Sequence, residues 1–408
     1  MSTHVPLSSN HKLQTVSGIK ISYVSSSKVV LEKGERDFPT DASVLAVLFI
    51  FQNPKSLAEG IEALNGWTKN KIEWIQLTQK IQELYDRGFL VDPEYAGALL
   101  TQVAPGSFEG PEVHLRMLND KMRCQVFQKA IQETVQSGDL VLDIGTGTGI
   151  LAAMAAQAGA NRVIAIERVS AMAKKAEMVF GKNKLDSTIE VFEGNASQLE
   201  LKEKADVILA EIIGNDPLEE NILTTVMDAV NRLLKPEGKI IPHTLKLFAL
   251  PLTIPSEVLE RHFFTENHIQ NWKNWYQLDF SSLSEPLDHP SHILHNPAST
   301  QNWNFLSEPI LLAELLLKKT KGSDLEVKTQ FEVKKTGLLN GLMICFEAVL
   351  SPSVTLSTLP EKVSPGNHWI SKICLPNTSL KVNQGDTFDL TYRYDADQGS
   401  RIEVHSTK

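Results

Sequence analysis

The sequence predicts a doubly wound α/β domain, preceded by a smaller helix-rich unit and followed by an antiparallel β domain. Three observations carry this. Apolar runs alternate with helical patterns at Leu140–Ile144, Val163–Ile166, Ile189–Glu193, Val207–Glu211 and Lys239–Pro242, as repeated βα units require. The first strand-to-helix turn of that series carries Gly145, Gly147 and Gly149. Beyond Pro242 the alternation stops, and β-prone runs take over at Thr244–Ala249, Ile310–Leu317, Thr329–Val333, Leu342–Val349 and Thr387–Arg393.

Composition bounds the function classes. With 408 residues the chain can hold two or three cores, and 42% hydrophobic with 22% charged residues fits a soluble globular protein. The longest apolar run, Val44 to Phe51, is too short to span a bilayer. The first residues, MSTHVPLSSNHK, lack the charged-then-apolar pattern of a signal peptide. Cys124, Cys345 and Cys374 give neither a disulfide framework nor metal-ligand spacing. A cytoplasmic protein without metal or membrane partner is expected. The net charge of −9 disfavours broad nucleic-acid binding.

Residues 1–107 read as a first domain. Two β-prone runs, Ile19–Val24 and Lys28–Leu31, precede Pro39-Thr40-Asp41, which reads as a helix start. The apolar helix Ala42–Phe51 follows, then a short helix capped by Ser56, then Ile72–Arg87 with apolar residues at helical spacing. Gly88 suits a helix end, and Phe89–Val91 suits a wing strand, so a winged helix-turn-helix is expected. A DNA groove binder needs a basic surplus, yet this domain holds ten Lys and Arg against eleven acids. Its pattern also resembles the small winged-helix modules that grip leader peptides in peptide-maturation enzymes, by adding the peptide to a strand edge. Leader or partner binding is therefore expected ahead of DNA, with a purely structural role as the alternative.

The glycine turn decides the cofactor class. A dinucleotide fingerprint needs glycine at 150, where Ile150 stands. The spacing GxGxG, after Asp143, is the form found in S-adenosylmethionine-dependent methyltransferases. Glycine here allows positive φ and close approach of a ligand to backbone N–H groups at a helix start. Glu167 ends the second strand, eighteen residues after Gly149, and is placed to accept ribose hydroxyls.

Read with its flanks, residues 108–408 resemble the protein arginine methyltransferase family. His114, Met117, Leu118, Asp120 and Arg123 match the family's segment before the first strand. The resemblance puts His114 and Met117 over the cofactor and Arg123 on its methionine carboxylate, a pairing that suits a guanidinium fork. It places Glu211 and Glu220, nine residues apart, around a substrate guanidinium. A guanidinium is a poor nucleophile while its charge is delocalised, and two carboxylates would localise that charge and orient one nitrogen. Asn367-His368-Trp369 resembles the family's loop returning from the β domain, which implies a bond from His368 to Asp120 and a substrate-side Trp369. Asn274–Ser281 resembles the segment beside the family's dimerisation arm, so a homodimer is expected, with the arm at about residues 257–303.

Several positions depart from the family. The two tyrosines expected ahead of His114 are Ala104 and Phe108, and Phe108 keeps only a ring over the substrate. Ile212 and Ile213 replace the aromatic and methionine after the first acid. The adenine-side acid is replaced by Ser197, beside Ala196. The domains expected are 1–107 for recognition, 108–242 for S-adenosylmethionine, and 243–408 for a substrate-side β-barrel. The expected reaction is methyl transfer to a side-chain nitrogen of a peptide or protein, arginine first. Histidine, lysine or a small molecule are alternative acceptors, and a cofactor-sensing winged-helix regulator is the alternative of another class.

Overall fold

The structure, a computed structural model, describes residues 9–407 except 17–18, 26, 34–35, 69, 94–107, 109, 285–290, 377 and 397–398. Ala104 and the last residue of Leu375-Pro376-Asn377 lie outside the described residues. The chain divides into two compact units, residues 1–110 and 111–408.

In the first unit, β1 (Lys12–Thr15) is followed by an antiparallel meander of β2 (Lys20–Ser25), β3 (Lys28–Lys33) and β4 (Arg36–Asp41). Then come α1 (Val44–Ile50), β5 (Lys55–Ser56), α2 (Leu57–Leu64), α3 (Lys71–Asp86) and β6 (Leu90–Val91). Pro39–Asp41 close β4 instead of opening a helix. Proline is tolerated there because β4 is an edge strand, and the Asp41 carboxylate accepts the Ser43 N–H at 3.0 Å just before α1. Ser56 caps α2 through a reciprocal capping box with Glu59, and Asn70 caps α3 by accepting from Ile72 and Glu73 N–H. Leu90–Val91 pair with β1, which sits between β5 and β6 in a three-stranded sheet. Leu13, Val47, Phe51, Leu64, Ile81 and Leu84 are buried in this unit's own core.

The second unit opens with α4 (Pro111–Asn119) and α5 (Lys121–Thr134). A five-stranded parallel sheet follows, built from β7 (Leu140–Ile144), β8 (Arg162–Glu167), β9 (Ile189–Glu193), β10 (Ala205–Ala210) and β11 (Leu234–Ile241). Helices α6 (Ile150–Gln157), α7 (Ser170–Lys182) and α8 (Ile222–Leu233) connect them, α8 following the loop after β10. The spatial order is β11-β10-β7-β8-β9. The order reverses between β7 and β10, and ligands of such sheets bind at the carboxyl ends of the strands flanking that point. Gly145–Gly149 leave β7 and Glu211 leaves β10, so the sequence motifs meet there.

The β part then runs through β12 (Thr244–Thr253), α9 (Ser256–Leu259), α10 (Glu266–Tyr276), β13 (His292–His295), β14 (Asn304–Phe305), β15 (Ile310–Leu316), β16 (Leu325–Glu332), β17 (Gly337–Leu339) and β18 (Gly341–Ser351). It ends with β19 (Val354–Ser357), β20 (Ser371–Cys374), β21 (Leu380–Val382), β22 (Thr387–Asp395) and β23 (Gly399–Ser406). β12 and β18 are the spine of a seven-stranded antiparallel sheet, and β16-β22-β23 form a second sheet. One core runs from Leu142 and Ile208 of the parallel sheet to Phe346, Trp369 and Tyr392 of the β part. The two parts of this unit therefore share an interior, which lets strands far along the chain reach the loop after β10.

Candidate active site

The glycine turn folds by conformational necessity. Gly145, Gly147 and Gly149 have φ of 77°, 54° and 88°, values that L side chains seldom adopt. At Gly149, the residue before α6, a Cβ would also fall 2.5 Å from the Phe180 ring. Gly145 passes under Ile212, and the turn at Gly147 runs close under the buried His114 ring. Glu167 accepts the Gly147 N–H through Oε2 and the Val169 N–H through Oε1, both at 2.8 Å. Asp143 accepts from Thr146 Oγ1 at 2.5 Å and from Ala152 N at 3.0 Å through one oxygen. Its Oδ1 is buried with no partner among the described residues. Burial pushes the Asp143 carboxyl up to about 6, against the pull of those two donors.

The acids lie beside this turn. Asp120 is the N-cap of α5 and accepts the Arg123 N–H at 3.0 Å. It also receives the His368 backbone N–H at 3.1 Å and lies 3.0 Å from His368 Nδ1. Burial opposes ionisation of Asp120, but those donors hold its carboxyl below the usual value. Arg123 is fully buried and its guanidinium is ion-paired with Glu211. The Arg123 Nε finds no partner among the described residues. Burial first, then the charges of Glu211 and Glu219, push the Glu220 carboxyl up to about 8, with Arg168 pulling the other way.

Trp369, expected toward the substrate, is 3% exposed. Its indole N–H donates to the Ile213 carbonyl at 2.8 Å, and its ring packs edge-on against Phe346. A buried indole needs a partner for its N–H, and this loop carbonyl provides it. Ala196 packs into the core and Ser197 faces outward, while the Ala196 carbonyl accepts from Arg232 at 2.9 Å. Met117 is half-buried on α4. Phe108 falls in the first unit. Sequence reasoning missed Asn215, Asp216, Lys372 and Tyr394, which tie the acidic loop to the β part. Ile370 N–H donates to Asn215 Oδ1 at 2.9 Å, Lys372 to Asp216 at 2.9 Å, and the Tyr394 hydroxyl to the Leu218 carbonyl at 2.7 Å.

Comparison with known proteins agrees with this geometry. Residues 124–281 match the family "Ribosomal protein L11 methyltransferase (PrmA)", and residues 256–404 match "Arginine methyltransferase oligomerization subdomain". "Probable protein arginine N-methyltransferase 6" of Arabidopsis thaliana is 28% identical over 287 residues, covering 68% of this chain and 64% of that one. "Protein arginine N-methyltransferase 2" of Xenopus laevis is 30% identical over 298 residues, covering 69% and 66%. The chain thus spans just under two thirds of the length of the first of these relatives, at 64%. Among solved structures, the "Trypanosoma brucei PRMT1 enzyme-prozyme heterotetrameric complex with AdoHcy" superposes with a TM-score of 0.63 at 24% identity, over 74% of this chain and 94% of that one. Arabidopsis thaliana protein arginine methyltransferase 10 superposes with a TM-score of 0.57 at 22% identity, over 74% and 99%. These structures share the methyltransferase domain and the β-barrel that follows it. In sequence and in fold the chain is similar to the protein arginine methyltransferases.

Proposed function

We propose that this protein is an S-adenosylmethionine-dependent N-methyltransferase acting on a side-chain nitrogen of a peptide or protein, with arginine as the acceptor. The observation that carries the reading is the pair Glu211 and Glu220, brought together beside the glycine turn so that one raises the proton affinity of the other. The turn also fits the methyl donor. A positive-φ glycine run, an unpartnered buried oxygen on Asp143 and a guanidinium on Arg123 suit a ligand with a nucleoside, an amino group and a carboxylate. His114, Met117, Arg123, Asp143, Gly145, Gly147, Gly149 and Glu167 would hold it, with the 196–197 turn toward its base. When bound, it supplies an electrophilic sulfonium methyl.

The chain's own residues do the rest. Arg123 keeps Glu211 from standing as a bare buried charge and fixes its orientation. Asp120 and His368 brace the α5 end that carries Arg123. Glu220 holds a proton up to about pH 8 in the protein alone. A cationic acceptor opposite Glu220 favours its ionised form, and the two carboxylates then localise charge on the guanidinium and aim one nitrogen. Turnover with an arginine peptide is therefore expected to rise with pH towards about 8. Labelled-methyl transfer into arginine-containing peptides, localised by mass spectrometry, tests the reading. Glu211→Gln and Glu220→Gln are each expected to lower kcat by about a hundredfold or more. Wild-type turnover in both variants would falsify the paired-acid mechanism. Transfer to histidine, lysine or a small molecule, with arginine peptides inert, would shift the acceptor.

Three further parts of the proposal rest on separate features. The first unit's strand meander followed by three helices supports a winged-helix recognition module, and Tyr23 and Val24 stand exposed on its edge strand β2, which suits strand addition of a leader or partner peptide. The near balance of charge there speaks against DNA. Trp275, Tyr276 and Leu278 are exposed at the end of α10, within the region matched to the oligomerization subdomain, which supports a homodimer formed through this arm. Three free cysteines fit a reducing cytoplasm, and no helix among the described residues is long and apolar enough to cross a membrane.

A further inference from the structure

The loop from Glu211 to Asn221 carries four acids, of which Glu211 and Glu220 repel each other in a partly buried place, so something must hold it in register. Strand β20 and the residues leading into it contact the site at four successive points. His368 bonds Asp120, Trp369 bonds the Ile213 carbonyl, Ile370 bonds the Asn215 side chain, and Lys372 bonds Asp216. Asp216 lies midway between the two acids, and it is only 3% exposed. Its Oδ2 takes Lys372 Nζ and the Ser400 hydroxyl, while Lys372 also donates to Ser400 Oγ at 3.0 Å. The Tyr392 hydroxyl is buried in the same neighbourhood without a hydrogen bond of normal geometry among the described residues. A buried ion pair is a poor way to gain stability, because desolvation offsets most of the attraction. Its distinctive effect is to penalise every loop register in which the two charges fail to meet.

We propose that Asp216 and Lys372 form a positioning clamp that sets the Glu211–Glu220 loop against the active site. This rests on the reading of Glu211 and Glu220 as the acceptor-binding acids. The side-chain hydrogen bonds and ion pair of the clamp residues run to each other and to Ser400, and none among the described residues runs to the glycine turn, so the clamp acts on the acids and leaves the methyl-donor site alone. Removing one partner strands a buried charge and releases the middle of the loop.

The test compares intact wild type with Asp216→Asn, Lys372→Met and Lys372→Arg. Glu133→Gln serves as a control, because it removes a different link between α5 and the β part, to Ser351 and Ser353. Amide hydrogen exchange of residues 212–221 is expected to quicken at least tenfold in Asp216→Asn and Lys372→Met. Amides of β7 and α6 should stay within about twofold, and Lys372→Arg should recover most of the protection. In steady-state kinetics kcat should fall at least tenfold, with KM for the donor within twofold. Glu133→Gln should change neither readout. The clamp is overturned if loop exchange is unaltered, if exchange quickens evenly over the whole unit, or if the loop loosens with kcat intact. Should wild type transfer no methyl to any acceptor, the exchange pattern still decides the clamp, and only the catalytic reading fails.

Discussion

Glu220 and Asp143 show two carboxyls of one site raised to different extents. Asp143 keeps two donors and is pushed up only to about 6, whereas Glu220, half-buried near Glu211 and Glu219, is pushed up to about 8 from an ordinary 4.5. The stability consequence has a definite sign. Between about pH 4.5 and 8 the folded chain keeps a proton that the unfolded chain has released, so this carboxyl makes stability fall as pH rises through that window. Glu220→Gln carries the neutral form permanently. Wild type and variant should therefore unfold alike near pH 5. By pH 8.5 the variant should be the more stable of the two, with the higher Tm. Thermal unfolding across that range checks it, and two parallel curves would show that Glu220 is well solvated. Gain of stability with loss of turnover at one residue is what a site under electrostatic strain predicts.

At the scale of elements, the parallel strands were legible because both faces of each are covered. Every residue of β7 is buried, as are five of the six of β8, and such strands read as unbroken apolar runs. The glycine turn was legible because its backbone demands glycine. What sequence reasoning missed was short or non-local. A two-residue strand such as β5 leaves no periodicity to detect, whereas β6 falls where Phe89–Val91 suits a strand, and Pro39 looked like a helix start because an edge strand and a helix entry both accept proline. Nothing local in the sequence marks Asp216 as buried. It is buried only because β20 and β23, more than 150 residues later, close over it. The bond of Trp369 was illegible for the same reason, since nothing local says that its N–H meets a loop carbonyl.

The glycines themselves offer an element-scale prediction. Gly149→Ala combines φ of 88° with a Cβ 2.5 Å from the Phe180 ring on α7, so it should separate α6 from α7. Gly147→Ala has φ of 54° and a Cβ 3.3 Å from His114, a milder crowding. The first should cost about 2–4 kcal/mol and the second about 1–2. Denaturant midpoints give the ranking, and equal losses would mean that left-handed strain alone sets the cost.

For the whole molecule, the two units own separate interiors. Leu13, Phe51 and Ile81 belong to a core confined to the first unit, while the core of the second runs unbroken from Ile131 to Tyr394. Burial of apolar surface is the main source of stability, so each unit should fold by itself. In the proposed division of labour, the first unit captures the peptide while the second holds donor and acids. A chain reduced to residues 111–408 should therefore remain folded and bind the methyl donor within about threefold of the full protein. Its turnover on a short acceptor peptide should be retained, because Glu211, Glu220 and Arg123 all remain. For a long substrate that carries its own leader, KM should rise at least tenfold with kcat little changed, the pattern left when remote uniform binding is removed. Calorimetry for the donor and steady-state kinetics on paired long and short substrates separate these outcomes. An unchanged KM for the long substrate would assign the first unit to some other partner. A loss of donor binding would instead overturn the independence of the second unit.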